Sequence, residues 1–107
     1  MKVVAYSVRA LEKEYFAKAN KRKHDITLIA NPLDMDTVHY AEGKEAIIMP
    51  EGFIASKEVM HKLYGMGISY IMTRFTTDDI AGLQEMAEHM INELDSANND
   101  QLTGLIN

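Results

Sequence analysis

The sequence predicts an α/β domain in which a parallel sheet carries helices on both faces. Three observations point there. Short apolar, β-branched runs alternate along the chain with longer stretches of helical periodicity. Parallel strands need crossover connections, and the intervening stretches are long enough to supply them. The length, 107 residues, is that of one domain with a core large enough to stand without staples.

Each element has its own signal. Val3 to Tyr6 reads as the first strand. Ala10 to Arg22 reads as a helix with an inward stripe of Leu11, Tyr15, Phe16 and Ala19. Asp25 to Ala30 is a second strand, ended by Asn31-Pro32, because proline has no amide donor. Asp36 is placed to cap a short helix over Thr37 to Ala41, with Gly43 closing it. Glu45 to Met49 is a third strand stopped by Pro50 and Gly52. Ser56 caps a helix through Leu63 that points Val59, Met60 and Leu63 inward, and Gly65 and Gly67 end it. Ile68 to Met72 is a fourth strand. Thr76 or Thr77 caps a last helix reaching about Ala97, and residues 98–107 read as a polar tail. Right-handed crossovers then favour a flavodoxin-like, three-layer domain over residues 1–97 with sheet order 2-1-3-4. The usual fifth strand of that fold has no counterpart in the sequence.

Composition excludes several roles. The net charge of -5 argues against nucleic acid as a partner, which needs a cationic face. No apolar run is long enough to cross a bilayer, and the N-terminus does not read as a signal peptide. The absence of cysteine excludes disulfides and thiolate metal sites and fits a cytoplasmic setting. Charge is unevenly placed: Lys13, Lys18, Lys21, Arg22 and Lys23 crowd the first helix, whereas no Lys or Arg follows Arg74. The basic first helix is therefore expected beside the acidic last one, on the same face of the sheet.

Candidate chemistry is sparse. His24, His39, His61 and His89 show no zinc-ligand spacing, and no metal is expected. Asp78-Asp79 reads as a helix start, where acids complement the dipole, rather than as a metal site. Ser7-Val8-Arg9-Ala10 lacks the glycines of a flavin phosphate loop, and the acids of a phosphorylated receiver site are missing. The stripe Ile80, Leu83, Ala87, Met90, Leu94 and Ala97 faces the core, with Met86 and Ile91 broadening it enough to offer a dimer contact.

Three blocks of sequence resemble one family. The first is Ala5-Tyr6-Ser7-Val8-Arg9-Ala10-Leu11-Glu12 followed by Glu14-Tyr15-Phe16. The second runs Leu33-Asp34-Met35-Asp36-Thr37-Val38, then Ala41-Glu42-Gly43, into Ala46-Ile47-Ile48. The third is Leu63-Tyr64-Gly65-Met66-Gly67-Ile68 through Thr73-Arg74. In this order and spacing they resemble the opening of the D-isomer-specific 2-hydroxyacid dehydrogenases, the D-lactate dehydrogenase family.

The resemblance implies a substrate-side domain. That family uses NAD, but no G-x-G-x-x-G follows a strand here, so no cofactor is expected to bind this chain. The family's Arg, Glu and His catalytic set lies in parts with no match here, so no catalytic residue is assigned and no activity is expected of the chain alone. Where the family carries a substrate loop, this chain has Met49-Pro50-Glu51-Gly52-Phe53, with Pro50 in the place of an aromatic residue. Arg9 and Arg74 are the side chains suited to a small 2-hydroxy or 2-keto acid at the carboxyl ends of the strands. Phe75-Thr76-Thr77-Asp78-Asp79-Ile80 onward resembles the family's returning C-terminal helix, as if a cofactor domain had been excised near Phe75. The expected function is a non-catalytic, stand-alone protein that binds a small acid or self-associates, most simply as a dimer. The alternative is one component of a split NAD-dependent dehydrogenase that needs a separate cofactor domain.

Overall fold

Alternation along the first strand sets the layers. In the computed structural model, whose description covers the backbone of residues 1–106 and the side chains of residues 1–98, Val3 and Ala5 face one side of the sheet and Val4 and Tyr6 the other. The strands are β1 (Lys2–Ala5), β2 (Asp25–Leu28), β3 (Ala46–Pro50) and β4 (Tyr70–Arg74). All neighbours pair in parallel, in the order β2-β1-β3-β4. Helices α1 (Ala10–Asn20) and α3 (Ile80–Ile106) cover the first face. The short 3-10 turn η1 (Val38–Ala41) and α2 (Lys57–Gly65) cover the second. This is the three-layer α/β arrangement and strand order that the sequence predicts.

Each face buries its own cluster. Val3, Ala5, Ala46 and Ile48 meet Phe16 of α1 and Leu83, Met86, Met90 and Leu94 of α3. Val4, Tyr6, Ile47 and Met49 meet Leu33, Val38, Val59 and Leu63. The apolar stripe of α3 is thus spent on the sheet: Leu83, Met86, Ala87, Met90, Ile91, Leu94 and Ala97 are all buried. Of the stripe only Ile80, in the first turn, stays exposed, so the residues of the stripe are turned to the sheet.

The helices α1 and α3 do lie side by side. His24 Nε2 and the Lys23 ammonium reach Asp95 at 2.8 and 3.4 Å. The bond to His24, seconded by Lys23, holds the Asp95 carboxyl below the usual aspartate range. Arg9, just ahead of α1, reaches Asp78 ahead of α3.

Several boundaries differ from the sequence reading, each for a local reason. Pro50 belongs to β3, paired with Arg74. Its missing N–H costs nothing there, because β1 has already ended at Ala5. β4 starts two residues later than expected, since Gly67 (φ +80°) and Ser69 are used to turn out of α2. The acceptor at the start of η1 is Asp34, whose Oδ1 takes the amides of Asp36 and Thr37, and not Asp36. Asp79 Oδ1 takes the Gly82 amide, so Asp79 caps α3 in place of Thr76 or Thr77. Ser56 caps α2 as expected, its Oγ accepting from the Val59 amide at 3.1 Å. The segment read as a polar tail continues α3 to Ile106. No proline stops it, and adding residues to a formed helix is far easier than starting one.

Within α1 the burial pattern is inverted at one turn. Leu11 is 42% exposed, while Glu12 beside it is wholly buried. The reason is a partner on β4, described below.

If α3 faces the sheet as described, Met90→Ala should lower unfolding free energy by about 2–5 kcal/mol, the range for deleting a buried methionine side chain. Ile80→Ala should change it by less than about 0.5 kcal/mol. Urea denaturation followed by circular dichroism measures both.

Candidate functional site

In a parallel α/β sheet, ligands bind in the crevice beyond the carboxyl ends of the strands. Three segments meet there in this protein. Tyr6 to Arg9 leaves β1, Glu51 to Phe53 leaves β3, and Phe75 to Asp79 leaves β4. Ser7 turns the first loop with a left-handed backbone (φ +57°), a conformation in which few non-glycine residues sit. Its amide bonds Asn31 O at 2.9 Å, and the Val8 amide bonds Ile29 O at 2.8 Å, which fixes the loop against the end of β2.

The centre of this end is a buried ion pair. Arg74, the last residue of β4, and Glu12, in the first turn of α1, are both essentially without solvent contact. Arg74 Nε donates to Glu12 Oε2 at 2.9 Å and Nη2 donates to Oε1 at 3.2 Å, the two-pronged geometry that makes Arg–carboxylate pairs strong. Arg74 Nη1 donates to Tyr6 O at 3.0 Å, and Nη2 also donates to Ser7 O at 2.9 Å. One guanidinium therefore ties β4 to α1 and to the loop after β1.

Arg9 completes the cluster from outside. Its amide donates to Glu12 Oε1 at 2.9 Å, a glutamate capping its own helix, and its Nε reaches the same oxygen at 3.4 Å. Nη2 donates to Thr77 O at 2.7 Å, and Nη1 pairs with Asp78. Burial pushes the Glu12 carboxyl up, but the bonds from Arg74 and the Arg9 amide outweigh it and hold the group below the usual glutamate range. The Asp78 partner holds the Arg9 guanidinium above its ordinary range.

This arrangement suits closure better than capture. Two arginines face two carboxylates, so the cluster is neutral and exerts little pull on an anion. Arg74 is inaccessible and already donates four hydrogen bonds. The sequence offers Arg9 and Arg74 as carboxylate ligands; in the structure both reach the Glu12 carboxylate. In the loop after β3, Met49 is buried and Phe53 half-buried against the second core. Pro50 is half-buried, and Glu51 and Gly52 are exposed. The Glu51 amide is taken by Arg74 O at 2.7 Å, and Gly52 turns the loop at φ +82°.

Sequence reasoning missed Glu12 as a site residue. The available signal was an acid at the third position of a helix, next to a buried phase of the stripe. Tyr6 was also undervalued. Its hydroxyl donates to Thr37 O at 2.9 Å, and burial, with Asp34 and Tyr40 nearby, pushes it up to about 12.

A separate open hollow of about 1100 Å³ lies between η1 and α2. Its wall mixes Glu42 and Glu58 with Lys57 and Lys62, and includes His39 and His61. His39 packs on Tyr40 with ring centres 4.2 Å apart. Among the described residues no three His, Asp or Glu side chains converge to hold a metal. No helix among them is long and apolar enough to cross a membrane.

Comparison with solved structures places the fold among the D-2-hydroxyacid dehydrogenases. No family model and no curated protein sequence matches the chain. The fold is similar to that of apo D-lactate dehydrogenase from Escherichia coli (TM-score 0.63, 25% identity over 81% of this chain). It is similar as well to the NAD-complexed D-isomer-specific 2-hydroxyacid dehydrogenase of Lactobacillus delbrueckii ssp. bulgaricus (TM-score 0.62, 28% identity over 69%). D-2-hydroxyisocaproate dehydrogenase matches over 82% with a TM-score of 0.64 and 24% identity. The chain spans only 29%, 23% and 28% of those three proteins, respectively.

Two outcomes test the cluster. Arg74→Met should destabilise the protein by about 3–5 kcal/mol, because it strands a buried carboxylate, while adding Glu12→Leu should restore most of that loss. A urea double-mutant cycle reads both. Glu12 has a depressed carboxyl pKa, so its contribution to stability is complete above the ordinary glutamate value of 4.5 and fades as pH falls through the folded value. The stability gap between the native protein and Glu12→Gln should therefore be widest near neutrality and narrow in acid, as read by urea midpoints from pH 7 down to pH 3.

Proposed function

We propose that this chain is a non-catalytic member of the D-2-hydroxyacid dehydrogenase fold that works through contact with another protein subunit rather than by turning over a hydroxy acid. The observation that carries this reading is the neutral Glu12–Arg74–Arg9–Asp78 cluster at the carboxyl ends of the strands. It occupies the carboxyl ends of the strands, where open α/β sheets bind ligands, and it leaves Arg74 with no accessible donor. The 107 residues also hold no dinucleotide loop, so hydride transfer has no donor within them.

A second reading has one observation in its favour. The chain spans less than a third of its NAD-complexed structural neighbour, so it can be seen as the substrate-side component of a divided enzyme. On that reading, α3 stands for the returning helix of the family, beside α1.

A ligand that binds only the native state raises the melting temperature with its concentration over Kd. Pyruvate, 2-ketoisocaproate, D-lactate and NADH, titrated separately to 10 mM, should each leave the melting temperature unchanged. A saturable rise with a keto acid would overturn the proposal. NADH oxidation on mixing the chain with a separate dinucleotide-binding domain and a keto acid would favour the divided enzyme.

A further inference from the structure

Among the described residues, β4 closes one side of the sheet with no strand beyond it. The ladder fixes which of its backbone groups are free. The Tyr70 amide donates to Glu45 O and the Arg74 carbonyl accepts from Glu51, both toward β3. Direction alternates along a strand, so Tyr70, Met72 and Arg74 turn inward, and Ile71 and Thr73 turn both N–H and C=O outward. The side chains of Ile71 and Thr73 are exposed too. Ile71 pairs with Ile47, which is wholly buried under the η1 and α2 layer, yet Ile71 itself is 45% exposed. The second apolar face therefore runs out to an uncovered rim at β4.

Proteins guard such edges with charge, proline or a bulge. The β4 edge carries none of these. Tyr70-Ile71-Met72-Thr73 has no charge, and Arg74 is turned away into its pair with Glu12. The opposite edge is different: β2 opens on Asp25, and the Lys44 ammonium lies on Thr27 Oγ1.

We infer that β4 is a self-association edge, where two copies of this chain pair antiparallel about a two-fold axis through Met72 to make one continuous eight-stranded sheet. The inference rests on the reading above that the domain acts through protein contacts. Its argument is register. An axis at Met72 sets Ile71 opposite Thr73 of the second copy, and Thr73 opposite its Ile71. These are the residues whose N–H and C=O face outward, so both pairs become hydrogen-bonded pairs and all four outward groups per copy are satisfied. Met72 falls on the non-bonded position between them, against its own image. An isologous contact needs a surface that complements itself, and a neutral strand with outward groups symmetric about its middle residue meets that need without bringing like charges together. The two α3 helices remain on the same face of the joined sheet.

The test uses the absence of native cysteine. At a non-bonded antiparallel pair the Cα atoms are about 4.5 Å apart, within reach of a disulfide. Met72→Cys should give a cross-linked dimer within minutes of mild oxidation. Thr73→Cys, whose image lies diagonally beyond disulfide reach, should cross-link at least tenfold more slowly. Thr73→Lys, at an exposed position, should keep the native circular dichroism spectrum and weaken the sedimentation-equilibrium dimer at least tenfold. Equal cross-linking at positions 72 and 73, an unchanged dimer in Thr73→Lys, or a native monomer at 0.5 mM would each overturn the inference. A keto acid that raises the melting temperature while position 72 still cross-links would sink the proposed function and leave this edge standing.

Discussion

The ion pair between Glu12 and Arg74 ties together parts of the chain 62 residues apart. β4 is the last of the described strands in chain order and pairs only with β3. Its far end is held by a guanidinium that reaches across to α1 and to the carbonyls after β1. A buried pair of this kind brings little net stability compared with a well-packed apolar substitute, because both charges have been taken out of water. What it supplies is position. With Glu12 fixed at the start of α1 and Arg74 at the end of β4, the loop after β1 can adopt the left-handed turn at Ser7 and close over the strand ends.

The same closure limits what the site can do. A crevice that recognises a small acid needs a cation with donors left to give. Here the donors go to Tyr6 O, Ser7 O and Glu12. Arg9, on the outside, is engaged by Asp78 and Thr77 O. The acid-rich start of α3 thus neutralises the arginine that leads α1. The opposed charges of the two helices, visible in composition, are part of the same closure and not merely a packing preference.

Much of the architecture was legible in the sequence. Val3-Val4-Ala5, Ala46-Ile47-Ile48 and the intervening helical periods favoured a parallel, doubly covered sheet, and the order 2-1-3-4 was expected by likeness to flavodoxin-like domains. The Ser56 cap was legible because its side chain has one local role. What failed were features decided by distant partners. Glu12 reads as the solvent face of α1, and only Arg74, on another element, makes its burial tolerable. Leu11 is displaced outward for the same reason. The partner of Arg74 was not legible either, because a sequence shows its charge but not the carboxylate that holds it. The end of α3 failed differently: Asn98-Asn99-Asp100 lower helix propensity, but a helix already formed extends through weak residues.

The state of one carboxyl group carries most of this account. Carboxyl-carbon NMR of Glu12, titrated from pH 7 to pH 2 in the folded protein, measures it directly. A group held by two arginines out of water should remain ionised well below the ordinary glutamate value of 4.5. A midpoint at or above that value would mean that Arg74 does not hold Glu12 in solution, and that the strand ends are open to a ligand after all.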